Sequence, residues 1–351
     1  MKEKKRFIDS HIHLYSWFND KGVNFFDGLD LFQQNCGAKA VNICCLSQGE
    51  YGDVGNNIMS ALYKLHNPTA FAYGGLIYPS QPVKKPFPVG MDLLTQYKEL
   101  MEIGFDGIKL IETKPTTHKI LGLKINDECY DDFFRQAEQD GTHFIWHVAD
   151  PEFFWAKEKT YDNDCYYGNG EYLSFNELYD CVYEILDKYP KLNVTFAHFF
   201  FFAEYPSRLE ELFEKYENVS IDITPGTEMY ETFNNNHEFY YEFFKKYSNR
   251  IIFGTDCGFP AIEYNSLLAE SVYNVVTTND LVDNIWQVKV KGFAFPNEVS
   301  DKILYQNFIN KHEKPKKINK EAFKRYVEKY QHFIGNEEDK VQILNAIKDL
   351  Q

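Results

Sequence analysis

His11-Ile12-His13 places two imidazoles two positions apart at the end of a short apolar run. In a strand, residues i and i+2 share one face, so both rings can converge on a single ion while Ile12 points the other way. An HxH pair alone is weak evidence of metal binding. Three distant residues strengthen it, because each also closes a hydrophobic run. His147 follows Phe144-Ile145-Trp146, His198 follows Val194-Thr195-Phe196-Ala197, and Asp256 follows Ile252-Phe253-Gly254-Thr255. Taken singly, a strand-end histidine is more often a hydrogen-bonded structural residue, and Asp256 reads as a cap. Together they form a costly set of buried polar groups unless they share a partner. Imidazoles with a carboxylate suit a borderline divalent cation such as Zn²⁺, and three or four protein ligands leave a place for water. The pKa of that water falls towards about 7. Asp256 is placed to take its proton and pass it on, and His198 to orient the water or stabilise an oxyanion.

These groups meet only if the runs that carry them lie side by side. Apolar, β-branched stretches predict strands at Phe7–Ile12, Ala40–Leu46, Ala70–Ile77, Gly107–Ile111, His143–His147, Asn193–His198, Val219–Ile223 and Ile251–Thr255. Helical patterning separates most of them: Asp92–Ile103, Glu128–Asp140, Ser174–Lys188, Ser207–Tyr216 and Glu238–Tyr247. Gly104, Gly141 and Tyr189-Pro190 stop helices, while Asp92 and Ser207 read as N-caps. Strand-then-helix repetition means a parallel sheet. Eight units in about 260 residues fit an α/β (β/α)₈ TIM barrel, with a doubly wound open sheet as the competitor. In a barrel the strand ends form one face, where active sites lie. His143 begins its strand and faces the opposite end. His66, His118, His237, His312 and His332 receive no role.

The chain reads as a single domain over residues 1–351, with the barrel at about 6–310 and a Lys- and Glu-rich helical extension at about 311–351. Pro79–Val89 reads as an ordered loop, and Ala149–Tyr172 as the longest one, rich in aromatic and acidic residues. Hydrophobic residues are 44% and charged residues 25%, which excludes a disordered or fibrous chain. A net charge of −15 argues against nucleic-acid or anionic-membrane partners, leaving a small molecule as the expected partner and a homo-oligomer open. No stretch nears a membrane span. The cysteines Cys36, Cys44, Cys45, Cys129, Cys165, Cys181 and Cys257 are odd in number and form no CxxC, which fits reduced thiols in a cytoplasmic protein. No GxGxxG follows a strand, and neither GxxxxGK[ST] nor GxSxG occurs.

Phe7-Ile8-Asp9-Ser10-His11-Ile12-His13, Gly107-Ile108-Lys109-Leu110, Trp146-His147-Val148-Ala149-Asp150-Pro151, Phe196-Ala197-His198 and Gly254-Thr255-Asp256 together resemble the amidohydrolase superfamily, and within it the amidohydrolase-2 branch with its aminocarboxymuconate-semialdehyde decarboxylase-like enzymes. Lys302-Ile303-Leu304-Tyr305-Gln306-Asn307 is similar to the family's closing helix. The resemblance covers about residues 6–310. It implies a distorted barrel with a metal at its mouth, His11, His13, His147 and Asp256 as ligands, and His198 as a ligand or catalytic neighbour. Some superfamily members carry a carboxylated lysine bridging two metals. Lys109 stands near that position, with His198 then a second-metal ligand. One Zn²⁺ is the favoured reading, with Mn²⁺ or a two-metal site as the alternatives.

Substrate contacts are expected from the loops beyond the strands: Glu112 and Lys114 after the fourth, Asp150, Phe153 and Trp155 after the fifth, Phe200 within the Phe199–Phe202 run, and Glu228 after the seventh. Packing of the Phe run between loop and barrel is the competing expectation. The leading functional reading is metal-dependent hydrolysis of a small amide, ester or lactone. A metal-dependent non-oxidative decarboxylase or lyase is the first alternative. It needs a cation for the substrate carboxylate, and Arg208 is the only arginine near a predicted rim loop. A catalytically silent metabolite-binding barrel is the second alternative.

Overall fold

The computed structural model describes residues 7–46, 54–78, 92–158, 166–226, 228–259, 261–286 and 288–348. All eight apolar runs form strands of one parallel sheet: β1 (Phe7–Leu14), β2 (Ala38–Cys44), β3 (Phe71–Gly74), β4 (Gly107–Thr113), β5 (His143–Val148), β6 (Asn193–Phe196), β7 (Val219–Asp222) and β8 (Ile251–Ile252). Their order in space follows the chain, as a TIM-like α/β barrel requires. The eighth run is broken. After β8 the backbone bends through Gly254-Thr255-Asp256 and resumes as β9 (Cys257–Phe259), which pairs in parallel with β1. Hydrogen bonds from Ser10 N–H to Phe253 O (3.2 Å) and from Asp256 N–H to His11 O (2.8 Å) tie the bend to β1. The curled sheet thus closes through a distorted eighth strand, and the bend carries Asp256.

The helices follow their boundary residues. Asp92 caps Leu93–Ile103 through the N–H groups of Leu94 and Thr95, and Gly104 ends it in the left-handed region. Ser174 and Glu177 form a capping box on Phe175–Lys188. Ser207 is not a cap. The helix starts at Pro206, in the first-turn position where a missing N–H costs nothing, and no side chain caps it. An antiparallel hairpin of β10 (Leu281–Ile285) and β11 (Val288–Lys291) forms a separate two-stranded sheet outside the eight expected strands. Pro79–Val89 and Cys165 lie outside the described residues. None of the six described cysteines forms a disulfide, and no described helix is long and apolar enough to cross a membrane.

A second apolar cluster closes the barrel at the strand N-termini. Ile8, Ala40, Phe71, Tyr73, Ile145 and Ile252 pack there against Phe308, with Tyr305 and Ile309 at the margin. The segment Lys302–Lys311 is therefore a plug, and only the later helices Lys320–Tyr330 and Glu337–Lys348 lie outside, against Leu93–Ile103 and Val54–His66. His143 faces this end as expected, bonded to Tyr73 Oη and to Thr195 Oγ1. Tyr73 Oη also meets His312, the residue that follows the plug. Asn307 donates both amide hydrogens, to Ser248 O and Ile251 O at 2.7 Å each. Asn307→Leu leaves two buried carbonyls without a donor. It should cost about 2–4 kcal/mol in a denaturant titration while leaving the opposite mouth intact; an unchanged midpoint would show that the plug does not depend on Asn307.

Candidate metal centre

His11 and His13 lie on the same face of β1, with ring centroids 5.0 Å apart. The bend after β8 brings Asp256 to them, its Oδ1 2.9 Å from His13 Nε2 and 3.7 Å from His11 Nε2. One ligand atom from each of these three residues lies within 4.8 Å of the other two, and no other such group of His, Cys, Asp and Glu occurs among the described residues.

The outer ring nitrogens decide what the inner ones can do. His13 Nδ1 meets Cys44 O at 2.7 Å, and a carbonyl only accepts, so the proton is on Nδ1. His11 Nδ1 likewise meets Asp222 Oδ2 at 2.9 Å. Each neutral ring then turns an Nε2 lone pair inward. His13 Nε2 and Asp256 Oδ1, 2.9 Å apart, are two acceptors facing each other. Such a pair is stable only with a cation or a proton between them. Carbonyl and carboxylate partners on the far nitrogen are also how metal-binding histidines are held. The donor set therefore fits a divalent ion.

Charge and burial are consistent with this. Burial holds His11 well below the ordinary histidine value, with the Lys109 ammonium adding to it. Burial alone would raise the Asp256 carboxyl; without an ion, a proton on His13 Nε2 donated to Asp256, with positive charge on the facing His13, His198 and His11 rings, holds it below the usual carboxylate range, and a divalent ion would take over that role. Lys109 is buried on β4, its Nζ 2.9 Å from His11 Nε2, and desolvation lowers its pKa.

His198 and His147 stand beside this trio. The His198 ring is 5.7 Å from that of His11 and 4.8 Å from that of His147. His198 Nδ1 meets Pro225 O at 3.1 Å, so its Nε2 is also a lone pair. His147 is not within the 4.8 Å group. Its Nε2 faces Ala149 O (2.9 Å) and Asp150 Oδ1 (3.2 Å), and burial lowers it to about 3. Asp150 also accepts from Lys114 Nζ at 2.6 Å and from Tyr167 Oη at 2.9 Å.

The backbone at the mouth is unusual. Among the described non-glycine residues with positive φ, six of eight are Ala149, His198, Phe199, Phe200, Phe201 and Asp256. The stretch His198–Phe201 is a left-handed turn, with φ of 51 to 60° at four successive residues. Phe200 lies in the core, 4.0 Å from the Phe196 ring and 4.8 Å from that of Tyr179, so its placement follows the packing expectation. Phe201 is the ring that reaches the centre, stacked on His198 at 5.1 Å and edge-on to His147 at 5.4 Å.

The other expected substrate contacts divide. Glu112 is buried and accepts from Tyr78 Oη (3.1 Å) and Ile111 N–H (2.7 Å). Phe153 and Trp155 share a short 3₁₀ turn, with Trp155 Nε1 donating to Leu173 O at 2.9 Å. Glu228 has both carboxyl oxygens enclosed.

Asp222 went unnoticed in the sequence because it ends an otherwise apolar strand. Its Oδ2 fixes the His11 tautomer, and its Oδ1 accepts from His198 N–H at 2.8 Å and Thr224 N–H at 3.1 Å. The signal was available, since a carboxylate at a strand end is costly without partners. Asp9 plays a parallel part, accepting from Thr255 Oγ1 at 2.6 Å and holding the bend against β1. Asp222→Asn should weaken binding of a divalent ion about 10–100-fold in a competition titration, with little change in fold by circular dichroism. Unchanged affinity would remove Asp222 from the centre.

No family model matches the sequence, and no curated protein does. Solved structures do. The chain is similar to 2,6-dihydroxybenzoate decarboxylase from Rhizobium at 14% identity, over 87% of this chain and 99% of that one, with a TM-score of 0.55. It is similar to 5-carboxyvanillate decarboxylase from Sphingomonas paucimobilis at 12% identity, over 88% and 99%, with a TM-score of 0.55. A structure described as amidohydrolase II aligns at 13% identity, over 87% and 99%, with a TM-score of 0.55. The chain has the fold of these proteins, the one its strand-end motifs imply.

Proposed function

We propose that the chain is a metal-dependent hydrolase of a small amide, ester or lactone, with one Zn²⁺ at the barrel mouth. The observation behind this is the facing pair of acceptors, His13 Nε2 and Asp256 Oδ1, 2.9 Å apart. His11, His13 and Asp256 would hold the ion. His147 would complete the set through Nδ1, because its Nε2–H is taken by Ala149 O. When bound, the ion acts as a Lewis acid on a carbonyl and lowers the pKa of a coordinated water to about 7.

The chain's own groups do the rest. Asp256, held below the usual carboxylate range and so ionised, takes a proton at its carboxylate and delivers it to the leaving group. His198 is buried with a lowered pKa, and its Nδ1–H is spent on Pro225 O. It is therefore an acceptor at Nε2, suited to orienting a water rather than donating to an oxyanion. Phe201, stacked on His198 and edge-on to His147, walls the centre and limits water. The protein acts on a small molecule in this reading, with a cytoplasmic setting.

The decarboxylase reading is favoured by two of the similar structures, which are decarboxylases by name. Few cations are placed to hold a substrate carboxylate. Arg208 lies over the Phe202 ring at 4.1 Å and Lys114 is paired with Asp150, while Lys109, on His11 Nε2 here, would be released to serve a carboxylate once that nitrogen held the ion. Elemental analysis should find about one divalent ion per chain. Chelation should abolish hydrolysis across a panel of simple amides, esters and lactones, and Asp256→Asn should lower it by about 10²–10⁴-fold. Full activity in metal-stripped protein would defeat the mechanism, and carbon dioxide release from aromatic acids without any hydrolysis would put the second reading first.

A further inference from the structure

Glu228 precedes the short helix Met229–Asn235 beyond β7. Both of its carboxyl oxygens are buried, and neither has a hydrogen-bond partner among the described residues. The charged groups that act on it are the carboxylates of Glu204 and Asp150, both of the same sign, and only its own backbone N–H favours the ionised form. The hydroxyls nearby are committed, Tyr179 Oη to Phe200 O at 2.7 Å and Tyr240 Oη to Ala203 O. Lys114 is paired with Asp150, and Arg208 covers Phe202. A buried carboxyl with only negative neighbours lacks a cation.

The space beside it has a shape. Gly226 leaves a gap the size of one methyl or ammonium group, since a Cβ there would make ordinary contacts 3.4 Å from the Phe201 ring, 3.5 Å from Glu228 Oε2 and 3.5 Å from Met229 Sδ. The Phe201 ring bordering this gap stacks on His198, which faces the metal trio. Carboxyl, gap, aromatic ring and imidazoles thus run in sequence from Glu228 towards the centre. An oxygen acceptor in a negative field beside an aromatic ring is the complement of an organic ammonium.

We propose that Glu228 determines specificity by receiving a protonated amine of the substrate, so that the molecule acted on at the centre carries a cationic nitrogen. This rests on the reading of the mouth as the reaction site. Burial pushes the empty Glu228 carboxyl up to about 8. Near neutral pH it is largely protonated, so an incoming ammonium converts carboxylic acid to carboxylate, forms the ion pair and sends one proton to solvent. The negative field that favours a cation also opposes an anionic substrate group.

The test is calorimetric titration of the full chain, its metal content measured, with benzylammonium, benzyl alcohol and benzoate as probes. Benzylammonium should bind with a Kd of about 1 mM or tighter, and its heat near neutral pH should vary with the ionisation enthalpy of the buffer. Benzyl alcohol and benzoate should bind at least about tenfold more weakly. Glu228→Gln should weaken benzylammonium at least about tenfold and erase the buffer dependence. Gly226→Ala, which meets only ordinary contacts, should weaken it by filling the gap. Equal binding of all three probes, undiminished binding by Glu228→Gln, absence of proton release, or no binding of benzylammonium would each overturn the proposal. A metal-loaded chain indifferent to benzylammonium sinks this inference alone, whereas a chain that holds no divalent ion sinks the metal-dependent reading beneath it.

Discussion

Hydrogen-bond direction at two histidines governs the mouth of this barrel. Cys44 O and Asp222 Oδ2 can only accept, so each takes a proton from an Nδ1 and leaves an Nε2 lone pair pointing inward. Asp256 adds an acceptor to the same point. The outer partners come from neighbouring parts of the sheet. Cys44 ends β2, which pairs with β1, and Asp222 ends β7, two strands from β1 around the closure. The chemistry of the centre is thus a consequence of sheet register. Shifting β1 by one residue would turn both imidazoles to the other face.

The strand ends also bear backbone strain. Left-handed conformations at non-glycine residues cost on the order of 1–3 kcal/mol each, and they persist only where the surroundings over-determine them. Here Ala149 follows His147, the left-handed turn begins at His198, and Asp256 itself has φ of 58°. Packing supplies the constraint at His198–Phe201. Phe199 is buried against Phe233 and Phe244, Phe200 against Phe196, and Phe202 against Tyr179. The unusual aromatic content of the chain has a local explanation in part, since a stack of rings holds a turn that its backbone would not adopt alone.

Periodicity made the strands legible, because buried parallel strands are continuous apolar runs and their ends are marked by the first polar residue. That is also why His11, His13, His198 and Asp256 stood out. What escaped were features set by backbone direction rather than residue type. The bend that splits the eighth run leaves no mark beyond Gly254, where a Cβ would sit 2.5 Å from Thr224 Oγ1 and 3.0 Å from His11 Cβ. The left-handed turn sends Phe200 into the core and sets Phe201, rather than Phe200, against His198 and His147. Ring orientation at His147 depends on Ala149 O, a carbonyl that any residue could supply.

Both ends of the barrel bury histidines, and the comparison separates a structural imidazole from a candidate ligand. At the plugged end, His143 meets two hydroxyls, Tyr73 Oη and Thr195 Oγ1, and a hydroxyl can donate or accept. Either tautomer is satisfied there, and a neutral ring needs nothing more. At the open end, His13 meets a carbonyl and a carboxylate, both of which only accept. No neutral tautomer satisfies both contacts. Burial in the same barrel therefore has opposite consequences: the hydroxyl-flanked ring is complete without any further group, while the ring between two acceptors requires positive charge from outside its own neutral chemistry.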